Sequence, residues 1–476
     1  MPSVVPKTDW RSLYVSSFLP FCASVEFSIL FTNLWPYLKT IDEEATEEFL
    51  SYIVAGCSVA QCLASPLLGY VSNKIRQVRL PVARGLSSMF LGNLIYLSSE
   101  VLPYNRRYSV LLARFLTGVG SANLALLHTY ASTCSHPNDL ARANSLITGG
   151  LVTGAVAGPL LQLLFNRLSH PGVRLFSNWR LNIYTASSYA GCVMNVLCLL
   201  CLYRIFEEHR VGIEKNDESN NVKVKVPQYN RIAVLICNLS KFVQQFIYTS
   251  IEVVLSPLAM TVFAFTKEET VEKGALAHGF MAGLNVLVFF VFFGFKLDKV
   301  VRYRIGTIAG LSLYTGFLFI TYPWAFLPGN ITTYHTNNAT ENLTGCNVDK
   351  LQWCSTTPAI SPWVFYIAFI VCVGLGYPTI DICLNTVHAR VLGPRRQGTM
   401  QGILFLTAGI GRILASLSIG WLYASHGPAT IWLLQMIMGA VVLSLWTVFY
   451  NHMRQLSVPS SLNATELSET ESERSK

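Results

Sequence analysis

Six ionisable residues stand within or at the ends of long apolar runs: Glu26, Arg114, Lys241, Glu252, Asp381 and Arg412. A charge held at membrane depth costs roughly 2.5–3.5 kcal/mol on insertion scales unless it is paired or hydrated. Two chemistries follow from these residue types. A carboxylate that meets and leaves a cation can bind and release a proton as its surroundings change. Cations facing a hydrated path attract anions. On the first chemistry, Glu26 is expected to couple proton movement, with Arg114 holding it ionised when close; the alternative is a static pair that specifies helix packing. On the second, Lys241 and Arg412 are expected to draw chloride, phosphate or an organic acid, unless they pair with Glu252 or Asp381. Gln244 and Gln245, a turn beyond Lys241, are expected to reach substrate, and His128 to pack as an uncharged ring.

Enzyme chemistry has no such footing. The chain lacks a Gly-x-x-x-x-Gly-Lys-Ser/Thr phosphate loop and a His-Glu-x-x-His metal motif. No enzymatic activity, cofactor or metal is therefore expected, and any transport has to draw on gradients.

The elements that must position these residues follow from composition. Of 476 residues, 52% are hydrophobic and only 13% charged, about half the roughly 25% of soluble proteins. That balance cannot cover a soluble multidomain protein, and it excludes bulk disorder and a disulfide-dense scaffold. The net charge of +9 lies in short clusters between apolar runs, so it points to membrane topology and away from nucleic acid. A helix needs about 20 apolar residues to cross the bilayer. Twelve such spans are read at 12–38, 49–72, 81–101, 108–132, 143–165, 182–205, 232–257, 275–297, 305–327, 362–386, 399–424 and 429–450. A β-barrel is excluded, because the runs are long and do not alternate. The fold expected is an all-α membrane protein of two six-helix halves.

With the N-terminus in the cytoplasm, most of the 35 Lys and Arg fall on the cytoplasmic face, as the positive-inside rule requires. The organisation expected is a cytoplasmic N-terminus (1–11), a first half (12–205), a cytoplasmic linker (206–231), a second half (232–450) and a disordered cytoplasmic tail (451–476). The first apolar run is too long for a removable signal peptide and should anchor the chain. The loop 328–361 is lumenal in this arrangement. It holds three Asn-x-Thr acceptors, Asn330, Asn338 and Asn342, and two of the twelve cysteines, Cys346 and Cys354, expected to form a disulfide in an oxidising compartment.

The halves repeat. Ser24-Val25-Glu26 in span 1 matches Ser250-Ile251-Glu252 in span 7, and Gly69 to Lys74 after span 2 matches Gly294 to Lys299 after span 8, at nearly one offset. Gly118-Val119-Gly120 in span 4 matches Gly374-Leu375-Gly376 in span 10, displaced further by the length of the glycosylated loop. Parallel repeats of this kind place a substrate site near the midplane between the halves.

These residues resemble the major facilitator superfamily over roughly 12–450. Its motif between spans 2 and 3 is Gly-x-x-x-Asp-(Arg/Lys); here Gly69 and Lys74 match and Asn73 replaces the acid. The second copy keeps Gly294, Asp298 and Lys299. Span 4 carries Arg114-x-x-x-Gly118-x-Gly120, and span 5 carries Gly154-x-x-x-Gly158-Pro159, like the superfamily's antiporter-type motif. The resemblance implies that spans 1, 4, 7 and 10 line a central cavity and that these loop motifs gate it. Asp298 is expected to accept hydrogen bonds at a neighbouring helix N-terminus, and Asn73, without charge, to latch more weakly. Gly154, Gly158 and Pro159 are expected to permit close helix approach and a bend.

Trp35-Pro36-Tyr37-Leu38, Ser256-Pro257-Leu258-Ala259-Met260, Val391-Leu392-Gly393-Pro394 and Gly411-Arg412-Ile413-Leu414 look like the lysosomal branch of the superfamily. That implies an endolysosomal location and a solute-transport or anion-permeation role; with the Glu26 reading, the function expected is secondary active transport of a small solute, proton-linked, and a monomer is expected. The plasma membrane is the other location, since no acidic dileucine signal stands near the N-terminus. A passive chloride pathway on the same fold and a non-transporting scaffold are the alternative functions. The partners expected are a small molecule or ion, protons and the lipid bilayer.

Overall fold

The computed structural model describes residues 8–42, 47–102, 104–136, 139–165, 168, 172–176, 179–208, 228–295, 301–335, 344–393 and 395–456. The first set of helices is α1 Trp10–Ile41, α2 Glu47–Ile75, α3 Arg79–Ser98, α4 Arg106–Ser121, α5 Asn123–Cys134, α6 Leu140–Phe165 and α7 Ala186–Arg204. The second is α8 Arg231–Thr261, α9 Lys267–Gly294, α10 Tyr303–Ile320, α11 Pro362–Ala368, α12 Gly374–Leu392 and α13 Gly398–Val448. Ten of these segments are long and apolar enough to cross a membrane, which makes this a multi-pass membrane protein of helical architecture. The 20-residue α3 and the division of α13 bring the count into line with twelve spans.

Two departures from the expected spans have local causes. Span 4 is two helices meeting at Ala122, just beyond Gly118 and Gly120. Span 10 is α11 and α12 joined by a π-turn, Phe369–Val373, and it runs on to Leu392. Spans 11 and 12 stand as expected, two helices within Gly398–Val448 that part at Gly427, whose φ of 75° suits glycine. Two short ladders, β1 Val173–Phe176 with β2 Trp179–Leu181 and β3 Thr333–Tyr334 with β4 Cys346–Asn347, lie in the loops after α6 and α10.

Each set of helices has its own apolar core. Leu13, Leu86, Leu126, Tyr130 and Leu202 anchor one cluster in the first set, and Ile247, Phe317, Phe365, Phe369 and Trp446 anchor the large cluster in the second. Within the first set, α6 lies against α1 with backbone almost touching backbone. A Cβ added at Gly150, Gly154 or Gly158 would come within 2.3 Å of Ser17 O, 2.3 Å of Phe21 O or 2.6 Å of Ser28 Cβ. Small residues at this spacing are how helices pack where no water drives them together.

We call the end carrying Trp10 and the α2–α3 turn basal, and the end carrying the Cys346–Cys354 disulfide apical. At the apical end the disulfide loop is pinned onto α13: Trp353 fills the space a Cβ at Gly427 would take, and its ring meets Tyr423 edge-on at 5.2 Å. Asn330 is exposed in this loop and bridges to Pro358. Asn338 and Asn342 lie outside the described residues.

Candidate functional site

Between the two sets of helices lies a cavity of about 220 Å³. Its wall comes from α1 (Ala23, Ser24, Phe27), α2 (Ser58, Gln61), the α4–α5 junction (Ser121, His128), α8 (Lys241, Gln245), α12 (Tyr377, Asp381) and α13 (Phe405, Arg412). Helices of spans 1, 4, 7 and 10 do contribute to it, together with α2 and α13.

Lys241 and Asp381 form a buried ion pair from α8 to α12. Asp381 was expected close to the end of its span. Because α12 continues to Leu392, two turns more of helix lie beyond it, and Asp381 opposes Lys241 in the cavity wall. Asn385 Nδ2 donates to the other oxygen of Asp381 at 3.3 Å. Beside the pair, His128 shares a hydrogen bond with Asn144 Oδ1 at 3.0 Å and stacks on Phe405, ring centroids 5.5 Å apart. Asn144 Nδ2 in turn reaches Thr386 Oγ1 at 3.5 Å.

Arg412 projects from α13, and its Nη2 donates to Gln61 Oε1 of α2 at 3.0 Å. Its Nε is buried without a partner. Among the described residues no carboxylate lies within ion-pair distance of Arg412; the alternatives of pairing with Glu252 or Asp381 are therefore not taken up. Glu252 is exposed, three turns along α8 on the face of Lys241 and Gln245, and its carboxylate interacts with the Tyr248 hydroxyl and, at longer range, with the Arg412 charge. Gln245 Nε2 donates to Tyr377 Oη at 3.1 Å in the wall of the cavity. Gln244 faces away from it, fully buried, and donates to Tyr377 O at 3.2 Å.

Glu26 is not in the cavity. It is buried behind it, between α1, α3 and α7, where both oxygens are held: Oε1 by Asn93 Nδ2 and Oε2 by Asn195 Nδ2, each at 2.8 Å. No ion pair joins Glu26 to Arg114 among the described residues. Arg114 lies 5.3 Å over the Phe27 ring, with its Nε unpartnered. The physical reason is helix phase: at about 100° per residue, Glu26 lies about 60° round α1 from Ala23, about 100° from Phe27 and about 160° from Ser24.

The gating motifs divide. Gly69 packs on Gly398, the first residue of α13, so closely that a Cβ there would stand 2.2 Å from Gly398 O. Asn73 Oδ1 accepts from Gly398 N at 3.1 Å and Asn73 Nδ2 donates to Thr399 Oγ1 at 2.9 Å. The neutral amide thus caps α13 from α2. Lys74 is exposed. Gly294 touches nothing a Cβ would disturb, and Asp298 and Lys299 lie outside the described residues. Arg142 Nε donates to Phe293 O at 2.7 Å, tying α6 to α9 at the same end. Among the described residues, the hydrogen bonds between the two sets all lie at the level of Arg412 or basal to it.

Sequence reasoning passed over several members of the site. Tyr377, Asn144, Asn385 and Phe405 carry no motif, and only their helical phase relative to Asp381, His128 and Arg412 singles them out. The search for motifs also passed over Cys198-Leu199-Leu200-Cys201 on α7, a Cys-x-x-Cys spacing; both cysteines are free thiols.

Comparison with known proteins agrees with this geometry. A profile of the Major Facilitator Superfamily matches residues 18–334. Major facilitator superfamily domain-containing protein 8 of Xenopus laevis is 29% identical over 469 residues, 92% of this chain and 90% of the relative. Among solved structures, the human organic anion transporter MFSD10 (TETRAN) superposes with a TM-score of 0.64 at 14% identity, over 92% of this chain and 99% of that one. A bacterial homologue of the iron transporter ferroportin, in an outward-facing state, gives 0.68 at 12% identity over 92% and 99%. The proton:xylose symporter XylE gives 0.65 at 12% over 94% and 97%. At these identities the likeness is one of fold.

Proposed function

The chain belongs to the major facilitator superfamily, and from that membership we propose that it moves a small solute across an endolysosomal membrane by alternating access, linked to protons. The observation that carries this reading is the cavity on the seam between the helix sets. It holds the Lys241–Asp381 pair and is sealed basally by the Asn73–α13 cap and the Arg142–Phe293 tie. Alternating access requires such a seal to open as the opposite end closes.

Asp381, rather than Glu26, is the carboxylate placed to couple protons. It is the acid in the cavity wall, and its cationic partner sits on a different helix, so rocking can separate them. The endolysosomal placement rests on the resemblance of the stretches around Trp35, Ser256, Val391 and Gly411, and the lumenal assignment of the apical end on Asn330 and the disulfide. Both chain termini are then cytoplasmic, the halves are 12–205 and 232–450, and the unit is a monomer. A passive anion pathway is the second reading, favoured by Arg412, whose Nη2 meets an amide and whose Nε bonds nothing.

The test is made on purified protein reconstituted in lipid, with one spin-label pair across the basal seam and another across the apical seam. Imposing a pH gradient should shorten one distance as it lengthens the other. Distances that stay fixed, together with a steady chloride current indifferent to pH, would replace the carrier with the passive pathway.

A further inference from the structure

The charges in the cavity wall do not cancel. Lys241 is committed to Asp381, and His128 is bonded as an uncharged ring would be, to Asn144 Oδ1 and Thr148 Oγ1. Arg412 is left with one amide partner and a buried Nε that bonds nothing. A guanidinium left so at membrane depth is costly unless something anionic completes it. Its remaining N–H groups form a fork that matches a carboxylate.

The rest of the wall limits what carries that carboxylate. Leu124, Leu127, Leu151, Met89 and Phe405 are apolar, and about 220 Å³ is available. A halide there would meet one free cation and scattered hydroxyls and amides such as Ser24, Ser58 and Ser121, and would leave the apolar part of the wall unfilled. A dianion would need a second free cation, and Lys241 is taken. Pockets of this kind, apolar with few convergent polar groups, suit a small amphipathic ligand.

We propose that the cavity binds a small organic monoanion, its carboxylate on the Arg412 guanidinium beside Gln61 and its apolar body against Phe405 and the α5 leucines. The inference rests on the transport reading and names its substrate class. Because Gln61 belongs to α2 and Arg412 to α13, the bound carboxylate sits on the seam, where its arrival bears on both sets of helices.

The experiment is equilibrium binding to the full-length protein in lipid nanodiscs, with radiolabelled phenylacetate, its neutral isostere phenylacetamide, and chloride and inorganic phosphate as competitors. Phenylacetate should bind at least about tenfold more tightly than the amide, as a charge-assisted hydrogen-bonded contact implies. Arg412→Gln should collapse that ratio to about twofold or less, and Arg412→Lys should retain part of it, since a point charge survives without the fork. Equal binding of acid and amide, absence of binding by either, an unchanged ratio in Arg412→Gln, or displacement by chloride at matching concentration each overturns the inference. If Arg412→Gln does not fold, Arg412→Lys and the wild-type competition series decide it. The spin-label pairs are read on the same preparations. Lost anion preference with intact exchange between states removes the monoanion alone, whereas frozen exchange removes the transport reading whatever binds.

Discussion

Lys241 and Asp381 hold each other in a place neither would occupy alone. Their exposures of 3% and 7% leave little water to solvate either charge. Removing one partner from a buried pair costs about 3–5 kcal/mol, whereas replacing both with apolar residues is often neutral. Asp381→Asn should therefore lower the melting temperature sharply, and Lys241→Met combined with Asp381→Leu should restore most of it. The double variant should still fail to acidify vesicles on solute addition; proton movement in that protein would remove Asp381 from the coupling role. Glu26 answers differently. Asn93 Oδ1 has no partner in the present arrangement, so a flipped Asn93 amide can accept from a glutamine. Glu26→Gln should keep both fold and proton-linked uptake, while Glu26→Leu strands Asn93, at about 1–3 kcal/mol for an unsatisfied group, and leaves Asn195 Nδ2 only its bond to Gly191 O. Thermal unfolding and vesicle acidification read both. The identity of these buried charges was legible in the sequence because they interrupt apolar runs. Their pairing was not, because it depends on which face of each helix meets the seam.

At the scale of elements, the apolar runs gave the helices, and the exceptions mark where sequence length alone misleads. Nothing in the run after Asn385 announces that α12 continues to Leu392, yet that extension sets the depth of Asp381. The Gly427 elbow reads as a loop in sequence, and Trp353 packs into it where the two helices of α13 meet. The glycines of α6 were legible as a close-approach motif, and the helix they approach, α1, was not. Gly154→Leu drives a side chain into the Phe21 carbonyl, a backbone atom that cannot step aside. Overpacking of this kind costs about 1–3 kcal/mol, and a lowered thermal midpoint with α1 and α6 pushed apart should be measurable by cross-linking. The α2–α13 cap moves the other way. Asn73→Asp keeps an acceptor for Gly398 N and Thr399 Oγ1 and adds a negative charge at a helix N-terminus, worth about 0.3–1 kcal/mol. The basally sealed state should gain occupancy by about two- to fivefold. Basal spin-label distances that do not shorten would show that the cap does not hold the seal.

For the whole molecule, the seam is where fold becomes mechanism. Each set of helices has its own core, and what joins them basally is a set of polar ties together with the packing of Gly69 on Gly398 and of Trp10 and Tyr14 on Phe293. Asn73 and Thr399 already touch, their side-chain atoms 2.9 Å apart. Asn73→Cys with Thr399→Cys therefore places two thiols where oxidation can bridge them, and the bridge replaces a reversible cap with a covalent one. In the oxidised protein the basal spin-label distance should become fixed and solute uptake should stop, since a carrier that cannot open one end cannot complete a cycle. Phenylacetate binding should survive, because Arg412 and Gln61 lie apical to the bridge and take no part in it. Reductant should restore uptake. Uptake that continues through the oxidised protein would mean that solute does not pass the α2–α13 seal, and with it the division of this bundle into two rocking bodies would fail.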